Sequence, residues 1–177
     1  MNIRRVWAMP NKHTFLIKPI SVLIRKYIVN GGENWIDPYA GENSPAEITN
    51  DLNPNKPTKY HLEAKEFLKQ LTGQYEGCLF DPPYSFRQIQ ECYNGIGKEV
   101  HQKDTQISFY SEAKNIACKL IKPGGIVISF GWNSMGFGKN RGFEIIEILL
   151  VAHGGNHNDT ICTVEKKIKR KIKAFKF

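Results

Sequence analysis

The chain has 177 residues, of which 41% are hydrophobic and 24% are charged, and its formal net charge is +8. This length predicts one domain with a substantial core, and no apolar run is long enough to span a membrane. The N-terminus lacks the apolar core of a signal peptide. The four cysteines lie far apart without a CxxC pair, so we expect no zinc site and no disulfides, but a reduced, cytoplasmic protein.

In chain order, the spacing of apolar residues and of turn residues predicts ten elements. They are a helix at 17–29, strands at 34–39 and 46–51, a helix at 60–71, a strand at 76–80, helices at 86–96 and 108–121, and strands at 126–131, 143–153 and 159–167. The polar segment 97–106 and the glycine-rich segment 131–142 are expected to be loops.

Positive charge is concentrated after the last strand. The segment 166–177, KKIKRKIKAFKF, carries most of the net excess and no acidic residue. A basic segment can neutralise phosphates, which favours a nucleic acid as partner, although a solvated chain end has the same composition. We therefore expect a domain at 1–165 and a basic tail at 166–177, with nucleic-acid contacts from Lys166, Lys167, Lys169 and Arg170.

Strands and helices alternate along most of the chain, which predicts an α/β fold. We expect a mostly parallel sheet with helices on both faces and a C-terminal antiparallel hairpin. In such sheets, ligands bind beyond the carboxyl ends of the strands. Three of the predicted strands end in a carboxylate, at Asp37, Asp51 and Asp81. These three side chains are therefore expected to face one crevice.

Several motifs carry a family resemblance. They include IKPI at 17–20, DPYAGEN at 37–43, FDPPYS at 80–85 and KPGGIVISFGWN at 122–133. Over about residues 7–166 the chain resembles the amino-directed DNA methyltransferases that use S-adenosylmethionine, especially the short phage-type adenine-N6 enzymes. The resemblance implies a Rossmann-like methyltransferase fold, DNA as substrate, and a bacterial or phage-infected host cell.

The tetrapeptide Asp81-Pro82-Pro83-Tyr84 matches the family's catalytic motif. The exocyclic amine of adenine is conjugated and is a poor nucleophile, so its lone pair has to be oriented. The carboxylate of Asp81 and the carbonyl of Pro82 can accept the two N–H bonds of the amine, and the ring of Tyr84 can stack on a flipped base. Catalysis would then rest on positioning and electrostatics. A plain surface turn is the alternative interpretation.

The resemblance also implies a set of cofactor-binding residues. The family's DPFxGxG segment, which packs against the methionine and adenosine portions, reads DPYAGEN here, with Asn43 in place of the second glycine. Asp51 corresponds to the residue that accepts the ribose hydroxyls, and Glu63 to the acidic residue near the adenine amine. The full set is Phe15, Lys18, Pro19, Asp37, Pro38, Tyr39, Ala40, Gly41, Asn43, Asp51, Leu52, Glu63 and Ala64.

Substrate contacts are expected from loops, because no segment is left over for a separate recognition domain. The candidates are the loop 97–106 and four residues of the glycine-rich loop, Trp132, Asn133, Lys139 and Arg141. His153 and His157 have an HxxxH spacing but flank a turn, so no metal site is expected. Two rival functions stay open at this point: an RNA adenine methyltransferase, and an inactive nucleic-acid-binding protein with the same fold.

One departure from the family concerns the link between the first two strands. The chain between Asp37 and Asp51 is too short for a full crossover helix. The helix should therefore shrink to a turn around 43–47, or the second strand should be displaced. Either change can expose apolar sheet surface that a second subunit would cover. A homodimer is therefore expected.

Overall fold

The computed structural model describes residues 1–94, 97 and 107–168. Four helices are present in this part of the chain: α1 (Lys18–Tyr27), α2 (Ala64–Gln70), α3 (Phe86–Asn94) and α4 (Ile107–Leu120). The strands are β1 (Asn2–Trp7), β2 (Trp35–Asp37), β3 (Ile48–Thr49), β4 (Tyr75–Phe80), β5 (Ile121–Gly131), β6 (Phe143–Ala152) and β7 (Thr160–Lys167). The expected loop at 97–106 lies outside the described residues except for Gly97.

The strands form one sheet in the order β1-β6-β7-β5-β4-β2-β3. β7 runs antiparallel to both of its neighbours, β5 and β6, and the other strand pairs are parallel. This confirms the predicted α/β sheet with one antiparallel strand in a closing hairpin. The carboxyl ends of the six strands that share a direction therefore lie along one edge, called the carboxyl edge below.

Helices cover both faces of the sheet. On one face, α1 inserts Ile20, Leu23 and Ile24 into a core with residues of β4, β5, β6 and β7. On the other face, α2 and α4 pack against β2, β4 and β5, with Phe67 and Phe80 fully buried. Within the described residues, no helix has the length and apolar character needed to cross a bilayer.

Strand β1 is the main element that sequence reasoning missed. Its residues are nearly all exposed, because it is an edge strand that pairs only with β6 in the part of the chain described. Arg4 and Arg5 interrupt its apolar residues, so neither a buried run nor a clear alternation marks it. The predicted strand at 46–51 is also shorter than expected: β3 ends at Thr49, and Asn50 continues as an isolated bridge to Tyr60.

Two other boundaries moved. The segment 122–125, which falls between the predicted helix and the predicted strand, lies inside β5 as a bulge, since the partner of Tyr75 is Ile121 and the partner of Gly77 is Ile126. The last strand runs to Lys167, so Lys166 and Lys167 are strand residues and not part of a tail. Backbone pairing of Lys166 with Ile126 and Glu144 holds this end of the strand in the sheet.

The short link between β2 and β3 contains no helix. This agrees with the first of the two expected alternatives, in which the crossover helix shrinks to a turn. β3 nevertheless pairs with β2 in parallel, with Ile36 opposite Ile48. The link itself covers the sheet there, because Ala46 packs in the same core cluster as Trp35, whose exposed fraction is 3%. The exposed apolar surface that motivated a dimer is therefore absent at Trp35, and the homodimer stays a prediction.

A buried carboxylate fixes α1 and β1 to β6. The Glu147 side chain is 1% exposed. Its Oε1 accepts hydrogen bonds from Arg4 Nε at 3.1 Å and Nη2 at 2.9 Å, and its Oε2 accepts from Lys26 Nζ at 2.5 Å and Tyr27 Oη at 2.6 Å. Burial acts to raise the pKa of Glu147, but the bonds from Lys26, Tyr27 and Arg4 outweigh it and hold the pKa below its ordinary value of 4.5.

Replacement of Glu147 by glutamine should destabilise the fold by about 1–3 kcal/mol at pH 7, since the buried amide loses the ionic attraction of Arg4 and Lys26, and its NH2 group cannot accept one of the two sets of hydrogen bonds. Because the folded pKa is lowered, the carboxylate stabilises the fold fully above about pH 4.5, and this contribution shrinks as the pH falls through the folded pKa. Urea unfolding at pH 7 and pH 3.5 measures both effects. Glu144→Gln, on the exposed side of the same strand, is the control and should change stability by less than about 0.5 kcal/mol.

Candidate active site

The turn after β2 is held in place by the buried amide of Asn50, whose exposed fraction is 1%. Asn50 Nδ2 donates to the carbonyls of Pro38 at 3.0 Å and Leu62 at 2.9 Å, and Asn50 Oδ1 accepts the Leu62 N–H at 2.9 Å. The Ala40 N–H also donates to the Asn50 carbonyl at 2.9 Å. The turn at 38–41, the end of β3 and the segment before α2 thus form one rigid unit.

Asp37 is fully buried beneath this turn. Its Oδ1 accepts the Tyr39 N–H at 3.0 Å and its Oδ2 accepts the Ser44 hydroxyl at 2.6 Å. Burial raises the pKa of Asp37 to about 7 despite these bonds, and the charges of Asp81 and Asp51 raise it further. Asp37 therefore organises the turn from below.

Asp51 lies half-buried at the same edge. Its two oxygens accept the Gly41 N–H at 3.1 Å and the Asn53 N–H at 2.8 Å. A carboxylate has about four acceptor sites, so each oxygen retains capacity for a ligand. Asp37, Asp51 and Asp81 follow or end the neighbouring strands β2, β3 and β4, and the charges of Asp51 and Asp81 act on Asp37. Of the three carboxylates, Asp51 and Asp81 are the two that are partly exposed.

Asp81 follows β4 and faces the N-terminal segment. Burial raises the pKa of Asp81 to about 6, while a hydrogen bond from the Thr14 side chain acts in the opposite direction. Thr14 belongs to a short 3-10 turn, 14–16, whose Phe15 packs against Phe130 with ring centroids 5.1 Å apart. The turn leads into α1, with exposed Lys18 and with Pro19 in the first helical turn.

The two prolines are fixed from both sides. The Tyr110 hydroxyl donates to the Pro83 carbonyl. After the prolines, Ser85 Oγ accepts the Gln88 N–H at 3.1 Å, and Gln88 Oε1 accepts the N–H groups of Ser85 at 3.1 Å and Tyr84 at 2.8 Å. This reciprocal pair is a capping box that starts α3. No described group donates to the Pro82 carbonyl, so this acceptor is left for a ligand.

Three aromatic rings lie together beside Asp81. The ring centroid of Tyr84 is 6.3 Å from that of Tyr110 and 6.3 Å from that of Trp132. Trp132 is 45% exposed. Tyr84 lies directly over the last residue of β5, since a Cβ built on Gly131 would come within 2.7 Å of its Cζ. Gly131 and Tyr110 were not predicted as site residues; a glycine ending a buried strand was the available signal.

A contact between Glu63 and Tyr93 lies among the residues that the resemblance assigns to the adenosine of the cofactor. The Tyr93 hydroxyl lies 3.4 and 3.5 Å from the carboxylate oxygens of Glu63, the residue that precedes α2. Ala64 is buried and Leu52 is half-buried. The Tyr39 ring packs edge-on against Phe80 at 5.2 Å, and its hydroxyl is buried without a partner in the described part of the chain.

Internal contacts hold the glycine-rich loop after β5. The buried Glu165 accepts the N–H groups of Phe137 at 2.5 Å and Gly138 at 2.8 Å, and burial raises the pKa of its carboxyl. Lys114 Nζ donates to the Gly136 carbonyl at 2.6 Å. The loop is thereby fixed to both β7 and α4, which sets the position of Trp132 at its start.

Arg141 takes part in the same clamp. Its guanidinium donates to Asn115 Oδ1 at 2.7 Å, to the Phe137 carbonyl at 2.9 Å and to Ser111 Oγ at 2.8 Å. Most of its donors are therefore used within the protein, although sequence reasoning assigned them to nucleic acid. Asn133 and Lys139 are exposed.

The basic C-terminal residues divide into three groups. Lys166 is exposed, whereas Lys167 Nζ donates to the carbonyls of Cys118 and Ile121, both at 2.6 Å. Lys167 thus caps the end of α4. Lys169 and Arg170 lie outside the described residues, and nucleic-acid contacts by any of these cations stay a prediction.

The two histidines have separate surroundings. The ring of His153 is buried, with Nδ1 2.9 Å from the Ala8 carbonyl and Nε2 2.9 Å from Thr160 Oγ1. His157 is exposed in the hairpin turn. Over residues 1–94 and 107–168, no group of three or more His, Cys, Asp or Glu side chains is arranged to hold a metal ion.

Comparisons with known proteins were informative at the level of structure. No family model matches the chain, and none of the curated proteins matches it. TrmN from Thermus thermophilus has a TM-score of 0.58 at 16% identity over 86% of this chain and 49% of that chain. The putative methyltransferase yhhF from Escherichia coli has a TM-score of 0.55 at 10% identity, covering 90% of this chain and 89% of that chain.

A further similar structure contains a ligand. The N-methyltransferase NodS from Bradyrhizobium japonicum, in complex with S-adenosyl-L-homocysteine, has a TM-score of 0.53 at 9% identity, covering 86% of this chain and 87% of that chain. This chain spans about half the length of TrmN. At such low identities the similarity establishes the fold, which is the Rossmann-like methyltransferase fold that the sequence predicted.

The packing of the glycine-rich loop can be tested with two glycine variants. Gly136 and Gly142 both have positive φ, 51° and 83°, so alanine is strained at either position. A Cβ at Gly136 would also lie 2.2 Å from Glu165 Oε2, whereas a Cβ at Gly142 meets nothing within 4 Å. Gly136→Ala should therefore cost about 1–3 kcal/mol more than Gly142→Ala in urea unfolding. Equal losses would show that Glu165 does not hold the loop.

Proposed function

We propose that this protein transfers a methyl group from S-adenosylmethionine to the exocyclic N6 amine of adenine in DNA, with the base flipped into the site around Asp81. The observation that carries the proposal is the arrangement of three groups. The Asp81 carboxylate and the Pro82 carbonyl, both acceptors, follow β4 in a turn fixed by Tyr110 and a capping box, and the Tyr84 ring lies beside them.

The residues around Asp51 suit S-adenosylmethionine. Asp51 offers two oriented acceptor oxygens for vicinal hydroxyls, Glu63 offers a carboxylate for an adenine amine, and Gly41 presents backbone toward open space, where a Cβ would meet nothing within 4 Å. The Tyr39 hydroxyl, which is buried and has no partner within the described residues, belongs to the same turn. When bound, the cofactor supplies an electrophilic methyl group on a sulfonium. This chain shares its fold with NodS, which was solved with S-adenosyl-L-homocysteine, and this similarity supports the assignment.

Asp81 and Pro82 orient the target amine. Two acceptors that each take one N–H bond favour a pyramidal nitrogen and turn its lone pair outward. The carboxylate has to be ionised to accept, and its environment already raises the Asp81 pKa to about 6. An amine that is losing electron density in the transition state binds a carboxylate more strongly than the neutral ground state does, so the pair acts mainly on the rate.

Tyr84 and Trp132 supply the surface on which a flipped base stacks. The two rings are tilted by 39° with centroids 6.3 Å apart, and Trp132 extends into solvent. Base–aromatic stacking contributes about 1–3 kcal/mol per base. DNA is proposed over RNA because of the resemblance to the adenine-N6 enzymes of DNA, and RNA is retained as an outcome of the test below.

Two observations support an active protein over an inactive one. Asn43 stands where the family has a glycine. Among the described residues, the non-glycine residues with a positive φ are Asn30 and Asn34. Asn43 therefore does not adopt the left-handed conformation that would require glycine. The short link before β3 leaves Ile36 and Asp37 in register with their partners. Neither departure disturbs the turn that holds Asp51 and Asp81.

The proposed reaction can be tested with Asp81→Asn. We expect label transfer from S-adenosylmethionine to unmethylated DNA to fall at least about 100-fold, with cofactor affinity by calorimetry unchanged. Because burial raises the Asp81 pKa to about 6, the ionised carboxylate costs folding stability at pH 8, and the variant should be at least as stable as the wild type. Transfer to RNA and not to DNA would select the rival substrate, and cofactor binding without transfer would favour the inactive binder.

The same carboxylate predicts a pH dependence. In the wild type, kcat/KM for DNA should rise with pH through about 6 and level off above it, as Asp81 ionises. A profile that is flat between pH 5 and pH 8 would contradict a role for the ionised group.

Gly131→Ala tests the position of the Tyr84 ring. The added Cβ would lie 2.7 Å from Tyr84 Cζ and 2.9 Å from the neighbouring Cε1, so the ring has to move. We expect a KM for DNA raised at least about five-fold with unchanged cofactor affinity. Tyr84→Phe, which keeps the ring and removes only the hydroxyl, is the control and should stay within about two-fold of the wild type.

A further inference from the structure

We propose that Trp7 and Met9, which are exposed on the carboxyl edge, contact unpaired bases that flank the target adenine, while Trp132 stacks with that adenine. This inference rests on the proposed function and extends it to a substrate surface. The surface, called the edge surface below, is defined by three residues that share this edge and a high exposure. They are Trp7 at 64%, Met9 at 68% and Trp132 at 45%.

The sheet topology brings the two tryptophans to one edge. Trp7 ends β1 opposite Ala152 of β6, and Trp132 directly follows β5. In the strand order β1-β6-β7-β5, three strand spacings separate them, which is about 14 Å at roughly 4.8 Å per spacing. This distance corresponds to about four stacked base steps at roughly 3.4 Å each. The two indoles can therefore contact bases of the same short segment.

The chain between Trp7 and Thr14 connects this surface to the proposed catalytic carboxylate. Its start is fixed by the Ala8 N–H, which donates to the Ala152 carbonyl at 3.0 Å, and by the His153 ring against the Ala8 carbonyl. Its end is Thr14, whose side chain bonds Asp81. Residues 8–13 thus cross the carboxyl edge from β1 to β4. Met9 and Lys12, both exposed, lie on this crossing.

The exposure of Trp7 is built into the fold. Its indole rests against the β6–β7 hairpin, where its Nε1 is 3.3 Å from the Cβ position of Gly154. Gly154 has φ 71° and tolerates this close approach. An indole held open to solvent in this way can stack on a base.

Charge favours a nucleic acid as the partner. Lys12 is exposed on this crossing, and no carboxylate of the described residues lies within 4.0 Å of its Nζ. Two acids nearby are already engaged: Glu42 bonds Lys56 at 2.5 Å, and Asp159 Oδ1 accepts the His153 N–H at 3.2 Å. An aromatic ring next to a cation suits a base and a phosphate together. An acidic or apolar protein surface would not need the spacing of two indoles.

The experiment uses the full chain with a single-stranded DNA oligonucleotide that contains one adenine. Tryptophan fluorescence reports stacking, because Trp7 and Trp132 are exposed. Trp35, at 3% exposure, is buried and cannot contact the oligonucleotide, so its emission should stay constant. We expect the oligonucleotide to quench the wild type, with the quenching reduced in Trp7→Phe and in Trp132→Phe. In steady-state assays, Trp7→Ala should raise KM at least about five-fold with kcat and cofactor affinity unchanged, and Trp7→Phe should recover most of the affinity.

Val29→Ala is the matched control. Val29 is also 64% exposed, but it precedes β2 at the opposite edge of the sheet, so its KM should equal that of the wild type. Wild-type KM in Trp7→Ala together with normal DNA methylation would overturn this inference alone. Cofactor binding without any nucleic-acid binding in the wild type would overturn the proposed function as well. A dimer that Trp7→Ala converts to a monomer, with oligonucleotide affinity unchanged, would assign the surface to self-association and also overturn the inference.

Discussion

The carboxamide of Asn50 is the interaction on which the candidate site depends. It accepts the Leu62 N–H and donates to the Leu62 and Pro38 carbonyls. These bonds lie in the interior, where an unpaired amide costs about 1–3 kcal/mol. Because no helix lies between β2 and β3, this side chain joins the ends of the two strands. The position of Asp51, and through it the geometry offered to a cofactor, follows from that one buried group.

Two other buried polar groups have the same role elsewhere in the fold. Glu147 joins three segments on the α1 side, and Glu165 joins a loop to the end of the sheet on the other side. The two carboxyl groups differ in their hydrogen-bond partners. Glu147 has cationic partners and a lowered pKa, whereas Glu165 has backbone N–H partners and a raised pKa. Carboxylates thus act as local organisers in this domain, and Asp81 and Asp51 keep capacity for a ligand at the carboxyl edge.

Sequence reasoning was reliable where one local signal decides a structure. The apolar run before Asp81 and the hairpin turn at 154–158 gave the sheet and its direction, because strand pairing follows from such patterns. It failed for β1, whose pairing is set by β6 and not by its own residues, and for Arg141, whose partners on α4 are distant in sequence. Asn50 could not be identified either, since a buried amide has no signature beyond its residue type. The proposed catalytic motif was identified by resemblance, but its contacts with Tyr110 and Gly131 required the three-dimensional structure.

The open side of β1 has a consequence for how the protein behaves at high concentration. Its outer backbone groups have no strand partner in the part of the chain described, so another copy could add to the sheet there. Arg4 and Arg5 sit at the middle of this strand, and two such strands brought side by side would place like charges together. The charge of these arginines thus opposes edge-to-edge association of two copies at β1, an effect that the ion pair with Glu147 reduces at Arg4.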